Sequence, residues 1–277
     1  MKILLFGKTG LLGHALFDAL SGEHEVLAPE HRACDVTDEK SLEKIFKNTK
    51  PDVVINATGY TSVDKAETDR QTAFALNHLA VANFARILKP TEIPFVHFST
   101  DYVFDGMNST GYDENASPAP LSTYGASKAA GEMEIIKNLK KYYLIRTSWL
   151  YGPHGKNFVD AMLACAEKGE PIKVVQDQIG NPTYSPDLAQ AVSAVLKGTP
   201  YGIYHIVNEG DTSWYDFAVE IFQELGVPIT ITPVTTKELN RKAARPRYSM
   251  LRNTKLQKLR HWKKALEDYL VNKTLII

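Results

Sequence analysis

The chain holds little that would commit it to a special environment. Only two cysteines occur, Cys34 and Cys165, far apart in sequence. They form neither a disulfide framework nor a metal-type cluster, and a reducing cytoplasm is the expected location. No apolar run reaches the roughly 18 residues that a membrane-spanning helix requires. Lysine plus arginine number 32, and aspartate plus glutamate number 32. That balance leaves no global field to draw nucleic acid or an anionic membrane, and neither is an expected partner. There is no internal repeat and no low-complexity segment. The opening MKILLFGKTGLLGHALF has a lysine followed by apolar residues, as a signal peptide does, but Gly7, Gly10 and Gly13 interrupt it. No small-residue cleavage site follows, so it reads as a buried first strand.

What is present is ordinary globular material: 277 residues, 44% hydrophobic and 23% charged. This suits one large domain or two unequal ones. Continuous apolar runs at 2–6, 25–28, 52–57, 94–99 and 142–148 predict strands covered on both faces. Helical patterns at 11–20, 38–48, 71–89 and 124–139 lie between them. The alternation predicts an α/β fold, a Rossmann-type doubly wound parallel sheet. After about residue 150 the rhythm loosens, and YGPHGKN (151–157) and QDQIGNPTYSPD (176–187) are turn-rich connections of the length binding loops have. Helices are expected at 158–168, 186–197 and 214–225. The predicted organisation is a dinucleotide-binding domain over 1–150 and a smaller, mainly substrate-binding C-terminal lobe over 151–277. Later strands around 172–208 are expected to return to the sheet or the cleft.

The first strand runs into Gly7-x-x-Gly10-x-x-Gly13 and then a helix. Glycines there permit a tight turn and close approach of backbone to a pyrophosphate, whose charge meets the unpaired N–H groups of the helix N-terminus. After the second strand, LAPEHRACDV offers Glu30, His31 and Arg32. Glu30 suits the ribose hydroxyls of NAD, and Arg32 suits the phosphate of NADP. NADPH is the expected cofactor, with NADH left open. Asp35 and Val36 are placed to meet the adenine.

Tyr124 and Lys128 stand one helical turn apart in YGASK. A free phenol titrates at about 10, too high for efficient proton transfer near neutrality. A lysine beside it is expected to lower that value and to hold the nicotinamide ribose. Ser99 and Thr100 end the fourth strand, on the edge where open α/β sheets bind ligands. Asn77 sits inside the long helix pattern, where asparagine is unfavourable by propensity, which hints at a local role, and it is expected among the cofactor-binding residues.

In this order, the glycine turn, the Ser/Thr and the Tyr-x-x-x-Lys pair resemble the extended short-chain dehydrogenase/reductase superfamily. GKTGLLG, DVVINATGYTSVDKAE, STDYVFDG, YGASKAAGE, RTSWLYG, GNPTYSPDLA and ARPRYSML together resemble the dTDP-4-dehydrorhamnose reductase family, over residues 7–251. The resemblance implies NADPH-dependent reduction of dTDP-4-dehydro-L-rhamnose to dTDP-L-rhamnose. It makes Tyr124 the proton donor, Lys128 its tuning cation and ribose ligand, and Thr100 the group that orients the keto oxygen. Val103, Phe104 and Trp149 would line the sugar pocket, and Asn181 and Arg245 would reach the substrate diphosphate. Gly10, Leu11, Leu12 and Gly13 would meet the cofactor pyrophosphate, and Gly59, Tyr60 and Thr61 its nicotinamide side. Some members of the family are metal-bridged dimers built on acidic residues. That acidic set is not matched here, so no metal ligand is assigned, and monomer and homodimer both stand. Competing readings are a nucleotide-sugar 4-epimerase on the same fold and a non-catalytic, NADP-binding regulatory subunit.

Overall fold

A computed structural model describes residues 1–169 and 171–274; positions 170 and 275–277 of the expected C-terminal lobe lie outside the described residues. Strand β1 (Lys2–Phe6), helix α1 (Leu11–Ser21), β2 (Glu25–Leu27), α2 (Glu39–Thr49) and β3 (Val53–Asn56) follow in order. Then come α3 (Val63–Ala66), α4 (Arg70–Phe74), α5 (Ala80–Leu88), β4 (Phe95–Thr100), α6 (Thr123–Asn138) and β5 (Tyr142–Thr147). The six-stranded sheet is parallel throughout, in the order β2, β1, β3, β4, β5 and finally the strand Gly202–His205. This is a Rossmann-type doubly wound sheet. Its order reverses between β1 and β3, the switch point outside whose carboxyl ends ligands bind in such folds.

Both faces of the sheet are covered, which is why its strands read as unbroken apolar runs. Ile3, Leu5, Ile55 and Val96 pack with Leu12, Leu16 and Leu20 of α1 and with Leu188 and Val192 of the helix Ser185–Val195. On the other face Leu4, Phe6, Val54 and Phe95 meet Leu42 and Phe46 of α2, Val81 and Phe84 of α5, and Ile135 of α6. A third cluster, rich in aromatics, gathers Tyr151, Tyr184, Phe217, Trp262 and Tyr269. It joins the helices Phe158–Glu167, Trp214–Glu224 and Trp262–Thr274 to short strands outside the main sheet. The helix expected at 71–89 is interrupted: between α4 and α5 the residues Ala75–Leu79 form a π turn. One wide turn displaces the side chain at its centre, and that residue is Asn77.

Candidate active site

At the end of β1 the three glycines do three different things. Gly7 has φ +87°, and a Cβ there would sit 2.7 Å from the backbone of Ala57 at the end of β3. A Cβ on Gly13 would lie 1.9 Å from the Gly7 carbonyl oxygen, so α1 closes on the turn only because that position is glycine. Gly10 caps α1 in extended conformation, and its Cβ position has only the Gly7 oxygen within 4 Å, at 3.4 Å. No side chain caps this helix and no acidic residue lies in its first turn. The N–H groups that begin α1 at Leu11, Leu12 and Gly13 therefore meet an open approach over Gly10, which fits the pyrophosphate of a dinucleotide.

The residues after β2 are arranged differently from the expectation. Arg32 Nε and Glu30 Oε2 form an ion pair at 2.7 Å, with the side chains 86% and 63% exposed. The two rival cofactor determinants thus hold each other. Asp35 accepts hydrogen bonds from the Thr37 N–H (2.9 Å) and hydroxyl (2.7 Å), which hold its carboxyl below the usual range. Val36 is 4% exposed and belongs to the core beside α2, so its side chain does not cover an adenine. An apolar residue next to an aspartate reads the same in sequence whether it faces the cleft or the core.

Beyond β3, Gly59 and Thr61 are exposed and Tyr60 is half-buried. Asn77 is 1% exposed and does not reach outward as expected. Its Oδ1 accepts from the Tyr60 N–H at 2.9 Å, and its Nδ2 donates to the Tyr60 carbonyl and the Ser127 hydroxyl, each at 3.0 Å. The π turn presents this one amide to a loop and a helix at once, so Asn77 positions the loop of Gly59 and Tyr60 against α6. The unfavourable asparagine marked a local role, though a structural one.

Helix α6 carries Tyr124 and Lys128 into the carboxyl-end crevice. Ser122 caps it, its hydroxyl accepting from the Gly125 N–H at 3.1 Å. Glu67 accepts from the Thr123 N–H and hydroxyl at 2.8 and 2.9 Å. A Cβ on Gly125 would stand 2.2 Å from the Tyr102 carbonyl oxygen, so the helix packs directly on the segment after Thr100. This brings the Tyr124 phenol to face the Thr100 hydroxyl. Burial pushes the phenol up to about 12, the Thr100 hydroxyl working against the rise and the neighbouring Asp101 adding to it. Lys128 is 6% exposed, and its ammonium donates to the Phe98 carbonyl at 2.5 Å. Burial lowers its pKa to about 8, partly offset by Glu132 one turn further along. The expected lowering of the tyrosine by the lysine is thus absent from this arrangement. Thr100 is the group that lowers it, because the lysine charge is directed to the strand carbonyl.

A cavity of about 460 Å³ adjoins Tyr102, whose ring meets that of Tyr124 edge-on at 5.7 Å. Lys156, Lys173, Arg241 and Arg245 line it together with Phe158, Gln178 and Trp214. Among the described residues its lining holds four cations and no carboxylate, and Asp64 pairs with two of them, Arg245 at 2.7 Å and Arg241 at 3.8 Å, which leaves an excess of positive charge between aromatic walls. Arg245 is held by Asp64 through two bonds of 3.0 and 2.7 Å. Trp149 adopts φ +46° and stacks on Trp214 with centroids 3.6 Å apart. A bulky residue in that backbone region is costly and is found where a site depends on it.

Three residues expected on the substrate lie elsewhere. Val103 and Phe104 are fully buried in a cluster with Tyr112 and Leu251, Phe104 stacking on Tyr112 at 4.3 Å. Asn181 is 2% exposed and spends its amide on the structure: it donates to Gly210 O and Asp211 Oδ1 and accepts from the Leu251 N–H. Sequence reasoning missed Lys156, Phe158, Lys173, Gln178, Trp214 and Arg241. The loops 151–157 and 176–187, flagged by their length, supply Lys156 and Gln178; the others carry no local signal. Among the described residues no group of three or more His, Cys, Asp or Glu side chains is placed to hold a metal, and no helix is long and apolar enough to cross a membrane.

Comparisons with known proteins give the family. The spore coat polysaccharide biosynthesis protein SpsK of Bacillus subtilis is 40% identical over 97% of this chain and 96% of its own length. The dTDP-4-dehydrorhamnose reductase of Aggregatibacter actinomycetemcomitans is 38% identical over 96% of this chain and 97% of its own. A crystal structure of dTDP-4-dehydrorhamnose reductase from Bacillus anthracis in complex with NADP superposes with a TM-score of 0.95 at 35% identity, covering 98% of this chain and 99% of that one. The model of the RmlD substrate binding domain matches residues 1–275, and the chain belongs to that family.

Proposed function

We propose that the protein reduces the carbon-4 ketone of dTDP-4-dehydro-L-rhamnose with NADPH, giving dTDP-L-rhamnose. The observation that carries this reading is the junction of two features. A phenol held protonated by burial, Tyr124, faces Thr100, and Tyr102 beside it lines a cationic, aromatic cavity. A nucleoside diphosphate sugar has the matching chemistry: a flat base, a doubly charged linker and a reducible carbonyl.

When bound, NADPH supplies a hydride to the ketone carbon. The Leu11, Leu12 and Gly13 N–H groups meet its pyrophosphate over Gly10, and Lys128 meets the nicotinamide ribose beside Gly59. Tyr124 gives its Oη proton to the oxygen on which charge develops, and Thr100 orients that oxygen. Arg245, Lys173 and Arg241 take the diphosphate, while Trp149, Trp214 and Phe158 bound the sugar and base. In this division residues 1–150 carry the cofactor. Residues 151–277 supply most of the substrate wall, with Gly202–His205 returning to the sheet.

The test is NADPH consumption against a panel of 4-keto nucleotide sugars, with product identification. The reading requires stoichiometric NADP⁺ release and a 4-hydroxy product. Retention of oxidised cofactor with inversion at carbon 4 would make the protein an epimerase, and binding without turnover would make it a regulatory subunit.

A further inference from the structure

Asp101 follows Thr100 directly, yet no step above uses it. Its carboxyl is 2% exposed. Oδ1 accepts the Thr100 hydroxyl proton at 2.9 Å, while the buried Oδ2 has no hydrogen-bond partner. An ionised carboxylate with one bare oxygen in the interior is costly, so burial pushes this carboxyl up to about 6. The Ser249 hydroxyl faces it and offsets part of that rise without hydrogen-bond geometry to Oδ2. The other groups around it are the Tyr124 phenol on α6 and the Tyr102 phenol, with Arg245 beyond Tyr102. Lys128 points to the Phe98 carbonyl instead.

Thr100 has one hydroxyl proton and two lone pairs to distribute. One lone pair is taken by the Tyr102 N–H at 3.2 Å. With Asp101 ionised, the single proton goes to Asp101, and Thr100 has none to offer the reacting oxygen. With Asp101 protonated, the carboxylic O–H donates to the remaining lone pair instead, and the threonine proton turns to the oxygen on which charge develops. Thr100 and Tyr124 then both donate to that oxygen. The carboxyl proton decides between the two arrangements.

We propose that Asp101 is a positioning residue that sets the direction of the Thr100 hydroxyl, its protonated form being the one competent for ketone reduction. This rests on the reductase reading. The carboxyl proton is not consumed in the transfer to the ketone. It fixes the orientation of Thr100 while Tyr124 gives up its own proton, which solvent later restores.

The experiment is the single-turnover rate of hydride transfer to dTDP-4-dehydro-L-rhamnose, with both ligands saturating, from about pH 5 to pH 8. A donor to the developing alkoxide is a hydrogen bond to a charged group, so the wild-type rate should fall about tenfold as pH rises through the Asp101 titration. Asp101→Asn keeps a neutral donor facing Thr100 and should show no such fall. A limb that survives unchanged in Asp101→Asn, even with a lower rate, overturns the proposal, since a merely structural role lowers all points equally. Should that variant fail to fold, Thr100→Val carries the test: it is predicted slow and flat, and a persisting limb overturns the proposal. Wild-type protein that reduces no 4-keto nucleotide sugar at any pH overturns the function itself, and this inference with it. Turnover combined with a surviving limb overturns this inference alone.

Discussion

In the proposed reduction, the glycine turn and the cationic cavity bind their ligands through opposite means. The turn works with backbone: Gly7, Gly10 and Gly13 shape one short stretch of chain, and the N-terminus of α1 supplies the donors. The cavity works with side chains drawn from Tyr102, from the loop of Lys156, from the strand of Lys173, and from Arg241 and Arg245. A backbone site must be contiguous, so its spacing is a local pattern. A side-chain site needs only the right groups brought together by the fold, and its members lie up to half the chain apart. The difference predicts that the turn tolerates no added atom, while the cavity tolerates single losses.

The sharpest way to break that contrast is to add one methyl group at two glycines. Gly13→Ala meets the Gly7 carbonyl, and overpacking of this severity should destabilise the protein by about 3 kcal/mol and abolish NADPH binding. Gly10→Ala meets only the Gly7 oxygen, at van der Waals distance, and should leave the melting temperature unchanged while weakening NADPH about tenfold. Denaturant unfolding and calorimetric titration of the two variants decide it. Equal loss of stability in both would mean that Gly10 shapes the turn instead of admitting a ligand.

On the cavity side, Lys173→Ala combined with Arg241→Ala should raise the substrate KM about tenfold. These cations are exposed, and each alone is screened by solvent. The NADPH dissociation constant should not move. A parallel loss of cofactor affinity would merge two sites that the structure keeps apart.

A smaller effect links the two regions through Lys128. With its pKa lowered to about 8, the ammonium is charged below that value and loses its proton as pH rises through it. NADPH affinity should therefore decline a few-fold between about pH 7 and pH 9, and Lys128→Met should be weak and flat over the same range. A wild-type affinity that holds constant would remove Lys128 from the ribose.

The smallest effect belongs to Arg32. Because Glu30 already holds it at the surface, an NADP phosphate must displace that carboxylate. Arg32→Ala should weaken NADPH by less than about tenfold and leave NADH untouched. Equal loss for both cofactors would leave the preference for NADPH without a residue to explain it.

These contrasts also mark what could be read from sequence. The parallel sheet was legible because strands covered on both faces must be continuously apolar, as ILLF and VVIN are. Tyr124 and Lys128 were legible because one helix fixes their separation. Their electrostatic relation was not, since whether Lys128 meets the phenol or the Phe98 carbonyl depends on how α6 packs against β4. Val103 and Phe104 were expected in the sugar pocket on the family resemblance. Only the packing of Tyr112 and Leu251 on them shows that they are core. Asn181 and Asn77 share the same lesson: an amide in an unusual place satisfied a backbone demand in each case. Lys173 and Arg241 carried no pattern at all, being single cations in otherwise unremarked segments.

The proposed reduction depends most directly on Tyr124. The decisive measurement is the single-turnover reduction of dTDP-4-dehydro-L-rhamnose by NADPH in wild type and in Tyr124→Phe, with NADPH affinity measured alongside. Removing one hydroxyl while keeping the ring should lower the rate at least about a hundredfold, within the range for general acid groups, and leave the NADPH dissociation constant unchanged. A variant that reduces the ketone at close to the wild-type rate would contradict the assignment of the proton donor and the mechanism built on it.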